Sequence, residues 1–182
     1  MDDPNQQTRG HWMFITARNG SDELVMRLRT DRPADADIDA YSTAVVIKWP
    51  YPPQPGTASP PAEVLQEMDV FGEAVVGLSR AAGCSYLMNI GTGLGSRQWF
   101  YYTNDRDEFM RRFNALLAGH KRYPLQVQFY DDPGWKVWRD LRVAYERAGG
   151  PPLAQPDAPA ERPGDTGILP GLRKWFGRDP GR

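Results

Sequence analysis

Apolar and polar residues alternate over "HWMFITARN" and again over "DELVMRLRT", placing Trp12, Phe14 and Thr16 on one face and then Leu24, Met26 and Leu28 on one face. Asn19-Gly20 between them is a turn signal, so the two runs predict a β-hairpin. The acidic stretch "DRPADADIDA" follows. "YSTAVVIKW" then brings Tyr41, Thr43, Val45, Ile47 and Trp49 to one side, with β-branched residues throughout. This is the strongest strand pattern in the chain, and it predicts a central strand.

"PYPPQPGTASPP" cannot enter a ladder, because its prolines lack amide donors. Ser59-Pro60 at its end predicts an N-cap and a helix from Pro61 to about Ala82, with Val64, Met68, Phe71, Val75 and Leu78 at spacings of three and four and Gly83 as the stop. "CSYLMNI" and "RQWFYYT" flank Gly91-Thr92-Gly93-Leu94-Gly95 and predict a second hairpin. Asp105 with Glu108 has capping-box spacing for a helix whose buried stripe is Phe109, Phe113, Leu116 and Leu117, ending near Gly119. "LQVQFY" predicts another strand. Asp132-Pro133 then opens a third helix carrying Trp135, Trp138, Leu141 and Tyr145.

Two hairpins and two further strands interspersed with three helices predict the α+β class, a mainly antiparallel sheet with helices packed on one face. The boundaries predicted are a flexible N-terminus over 1–10, a domain over 11–149, a Pro-rich linker over 150–167 and a short apolar-basic motif over 168–182. "GGPPLAQPDAPAERPGDTG" has too little apolar material to pack, and reads as a disordered or polyproline-like linker. "ILPGLRKWFGR" then restores Leu172, Trp175 and Phe176 among basic residues, the form of a tethered docking motif.

Charge narrows the function. The 182 residues carry a net charge of −1, so no global field draws the chain to nucleic acid, and nucleic acid is not an expected partner. The tail adds about three positive charges, enough only for weak attraction to an anionic bilayer. One cysteine, Cys84, excludes an intramolecular disulfide framework, and the first ten residues are polar where a signal peptide is basic and then apolar. The expected location is the cytoplasm.

The chemical templates fail one by one. The glycines have Gly-x-Gly-x-Gly spacing and lead into four consecutive aromatics, so no helix N-terminus is present to hold a phosphate. "DADID" has Ala40 where a calcium loop needs glycine and Val46 where it needs a bidentate glutamate. Cys84, His11 and His120 have no metal-ligand spacing, and a Cys-His dyad would require the fold to bring them together. No catalytic, cofactor or metal residues are therefore assigned. In "WFYY", alternation sends Phe100 and Tyr102 to the core and leaves Trp99 and Tyr101 as candidates for a protein-binding surface.

"VVIKWPYP", the "EVLQEMDVFGEAV" helix, "GTGLGSRQWFYYTNDRDEFMRRFNALL" and "YPLQVQFYDDPGWKVWRDL" occur in an order that resembles the bacterial domain of unknown function 695 family, over roughly residues 10–145. The features carrying the resemblance are Trp49-Pro50-Tyr51, the hairpin from Gly91 to Tyr102 and the stretch from Asp131 to Trp135. It implies an α+β domain of ferredoxin-like character, sometimes joined to a domain similar to the inhibitor of ribonuclease E. It implies no catalytic residues.

The expectation is a non-catalytic protein-binding or regulatory domain, inhibitor-like towards a nuclease or toxin, with Trp99, Tyr101, Leu172, Trp175 and Phe176 as interaction candidates. The alternatives are an enzyme of unrecognised type with Tyr51, Arg97 and Asp39 converging on a pocket, or a protein tethered to a membrane by its tail.

Overall fold

A computed structural model describes residues 11–19, 22–79 and 84–147. Both expected hairpins form: β1 (Trp12–Asn19) with β2 (Asp22–Arg29), and β4 (Ser85–Gly93) with β5 (Ser96–Thr103). With β3 (Thr43–Pro50) and β6 (Gln126–Asp131) they make one sheet, in the order β1-β2-β4-β5-β3-β6, with every neighbouring pair antiparallel. The helices are α1 (Ala62–Ala74), α2 (Arg106–Leu116) and α3 (Lys136–Arg147).

The order has a simple logic. β3 and β4 run parallel with β5 inserted between them, and β5 and β6 run parallel with β3 between them, so β3-α1-β4-β5-α2-β6 is the split, ferredoxin-like β-α-β-β-α-β unit. The N-terminal hairpin widens that four-stranded unit by adding β2 to the outer edge of β4.

Helices lie on both faces, which corrects the expectation of a single covered face. Val45, Ile47, Trp49, Trp99 and Tyr101 pack with Met68 and Phe71 of α1 and Phe109 and Phe113 of α2. Ala44, Val46, Phe100 and Tyr102, the alternate positions of the same strands, pack with Leu24, Met26 and Leu28 against Trp135 and Trp138. The central strands are apolar at successive positions, so each face needs a cover. α1 and α2 supply one and α3 the other.

Local chemistry sets the helix ends. α1 begins at Ala62 after Pro61 with no side-chain cap, so Ser59 does not cap it, and the helix tightens into a 3-10 turn over Val75–Ser79. Two glycines and adjacent β-branched valines weaken the α-helix there, and the expected end at Ala82 with its stop at Gly83 lies outside the described residues. Asp105 caps α2 through the Asp107 and Glu108 amides, each 2.9 Å from its Oδ1. Glu108 does not close the box: its carboxylate binds Arg111 and Arg112 at 2.7 and 2.6 Å.

The glycine cluster has a structural role. Leu94 (φ 50°) and Gly95 (φ 73°) form a two-residue hairpin turn with positive φ at both positions, the geometry that matches strand twist. Gly93 faces Leu24 across the ladder so closely that a Cβ there would lie 2.4 Å from the Glu23 carbonyl oxygen. The glycines admit β2 to the sheet.

Candidate functional site

The added hairpin makes the sheet wider than the helices above it. α1 and α2 cover the β5, β3 and β6 side, while β1, β2 and part of β4 extend past α1 as an open floor. Three strands at about 4.8 Å spacing give roughly 14 Å of sheet, room for one helix of about 10 Å diameter or for an extended segment. The resulting cleft encloses about 590 Å³.

Register decides what the floor displays. Trp12 is opposite Arg29, Phe14 opposite Arg27 and Thr16 opposite Val25, so these residues share one face, opposite to Leu24, Met26 and Leu28. The cleft floor continues through Ile90 and Thr92 of β4 to Arg97 and Trp99 of β5. Its wall is the flank of α1 and the following turn, with Asp69, Gly72, Glu73 and Val76. Phe14 is 77% exposed and Val76 37%. Both lie on the cleft, so apolar surface faces solvent from floor and wall together.

The charged groups along it are held in place. The Arg27 guanidinium lies 4.4 Å from the centre of the Trp12 ring, a cation–π contact. Arg97 donates from Nε to Thr92 Oγ1 at 2.9 Å and reaches Asp69 Oδ1 at 3.3 Å. Arg29, 6% exposed, pairs with Asp31 at 3.5 Å. Ser79 Oγ accepts the Leu87 amide at 3.0 Å. Trp12 Nε1 is shielded from solvent and has no acceptor among the described residues. An apolar floor with fixed cations and carboxylates on one wall suits an amphipathic segment.

Trp99 and Tyr101 are 3% and 2% exposed, so the expected surface placement is corrected: both sit beneath α1, and the whole of "WFYY" is core. Burial pushes the Tyr101 phenol well above its ordinary range, so it stays neutral. Both residues still form part of the cleft floor. Leu172, Trp175 and Phe176 lie outside the described residues, as do the linker and the N-terminal ten residues.

The other constellations are dispersed. Tyr51, 7% exposed, donates to the Ala58 carbonyl at 2.5 Å, and burial pushes its phenol up to about 12 against the opposing pull of Arg97. Asp39 belongs to the loop whose Ala36, Ile38 and Tyr41 pack against the α3 face, so it does not join Tyr51 and Arg97. Cys84 is buried, with its thiol pushed up by desolvation, while His11 and His120 are exposed. Asp37 Oδ1 accepts the amides of Asp39 and Ala40, closing "DADID" on itself. No cluster of three metal-ligating side chains occurs among the described residues, and no helix among them is long and apolar enough to cross a membrane.

Fold and cleft together define an α+β domain of the split β-α-β type, widened by an N-terminal hairpin that leaves an open floor beside its first helix. A family model described as a family of unknown function (DUF695) matches residues 10–141, and the chain belongs to that family. No curated protein and no solved structure matches it. The residues that carry the resemblance have structural tasks. Trp49 is buried against Phe71 with ring centres 5.7 Å apart, Asp131 pairs with Arg106, and Trp135 Nε1 donates to the Tyr41 carbonyl at 2.8 Å.

Proposed function

We propose that this is a non-catalytic protein-binding domain of a bacterial cytoplasmic protein, acting on its partner by occupation, as an inhibitor of a nuclease or toxin does. The observation that carries the reading is Phe14, 77% exposed on the open half of a sheet whose central strands β3 and β5 are packed on both faces. Burying such a ring is worth about 2 to 3 kcal/mol, so a partner segment seated on β1 and β2 gains part of its affinity there. Trp99 and Tyr101 support the floor from beneath α1. Leu172, Trp175 and Phe176 act as a second, tethered set of anchors.

In-cell photo-crosslinking from position 76 tests this. A discrete adduct with one other protein, lost in the Phe14→Asp variant, is the expected result. Absence of any adduct with a second protein, or an adduct that survives Phe14→Asp, would overturn the reading.

A further inference from the structure

α3 crosses the sheet on the face opposite the cleft. The turn leading into it follows Asp132, whose amide binds the Ser42 carbonyl, and Trp138 Nε1 reaches the Arg29 carbonyl at the end of β2 at 2.8 Å. One turn later Arg142 feels the charge of Asp31. Arg29 is paired with Trp12, so the helix heads for the end of the hairpin where edge strand β1 begins. The described chain thus ends, at Arg147, on a helix that runs towards the β1 end of the sheet.

Twenty residues, 148–167, separate Arg147 from Ile168. A flexible chain of this length has an end-to-end distance of about 25 Å, and stretches to about 66 Å. Passing from the α3 layer round the edge of the sheet to the cleft is a path of about 20 Å, two layer spacings of about 10 Å. A segment tethered at this reach is present at an effective concentration in the millimolar range, so even a weak site fills.

We propose that the cleft is filled in cis by the chain's own segment 168–176, with Leu172, Trp175 and Phe176 against Phe14, Val76 and Ile90. This rests on the cleft being a docking surface, as proposed above, and makes that surface self-covered until a partner displaces the segment. Apolar character favours this occupant: Leu172, Trp175 and Phe176 match Phe14 and Val76, exposed apolar residues of the cleft. Of the charged groups that line the cleft, Arg27, Arg29 and Arg97 stand against Asp69 and Glu73, so charge does not select the occupant.

The test uses the purified full-length chain at low micromolar concentration, with the photo-crosslinking analogue benzoylphenylalanine in place of Phe14 and the adducts mapped by mass spectrometry. The expected adduct is intramolecular, joins position 14 to residues 168–176, and falls about tenfold in yield when Trp175 and Phe176 are both changed to alanine. An adduct to a second copy, an adduct confined to residues 11–147, or a yield indifferent to the double substitution would each overturn the proposal. An unchanged circular dichroism melt of the labelled chain shows that the fold is intact. No partner is present in this experiment, so its failure leaves the in-cell adduct from position 76 to decide the binding reading separately.

Discussion

Tyr102 donates its phenolic hydrogen to Asp132 Oδ2 at 2.5 Å, across 30 residues of sequence, and the same oxygen accepts the Val137 amide at 3.0 Å. Asp132 Oδ1 accepts the Lys136 amide at 3.1 Å, so one buried carboxylate caps α3 and ties it to β5. The Tyr102 ring stacks on Trp135 at 4.3 Å and 3°, which fixes the phenol beneath the helix start. Burial and the neighbouring carboxylate push this phenol far up, keeping it a donor.

Asp132→Ala removes the cap and strands the Tyr102 hydroxyl, and is expected to cost about 2 to 4 kcal/mol. Tyr102→Phe removes one charge-assisted bond, and is expected to cost about 1 to 3 kcal/mol. Urea denaturation of the two single variants and the double variant checks this. The double variant should be less destabilised than the sum of the singles by at least about 0.5 kcal/mol, because both act on one bond.

Much of the fold is legible in the chain because its signals are local. Alternation announces β1, β2 and β3, and Asp105 is a cap whose partners lie only two and three residues on. Other features depend on distant neighbours. Four consecutive aromatics in β5 carry no mark of which face is covered, and only the arrival of α3 on the second face makes all four core. The partnership of Asp132 and Tyr102 is likewise invisible until β5 and α3 are packed. The cleft is within partial reach, since Trp12 and Phe14 share a face by alternation alone. That this face stays open depends on β2 joining the outer edge of β4, a pairing across more than 60 residues.

Gly93 makes that pairing possible and offers a sharp test. Its φ is 151°, and a methyl group added there would come within 2.4 Å of the Glu23 carbonyl oxygen, so Gly93→Ala must push β2 away from β4. An expected loss of about 2 to 4 kcal/mol follows from strain and lost ladder bonds. Gly56→Ala is the control, since its φ is 74° but nothing lies within 4 Å, and about 1 kcal/mol is expected. Thermal melts of the two variants should separate clearly.

Acid stability depends on α2. The guanidinium groups of Arg111 and Arg112, hydrogen-bonded to Glu108, hold its carboxyl down at about 2 against an ordinary 4.5. A carboxyl with a lowered folded-state pKa stabilises the fold above the unfolded value. That contribution is lost as pH falls from about 4.5 through about 2. Glu108→Gln should lower the melting temperature at pH 6 and leave it close to wild type at pH 2. The difference at pH 6 should shrink in 1 M salt, because these groups are reached by solvent.

Whether the open half of the sheet beside α1 is the docking surface is decided by in-cell photo-crosslinking from four exposed positions. Phe14 and Val76 lie on the cleft, while Tyr130 on β6 and Val143 on α3 are exposed apolar residues elsewhere. Discrete adducts are expected from positions 14 and 76 and none from 130 and 143. Adducts of equal or greater yield from 130 or 143 would contradict that docking surface.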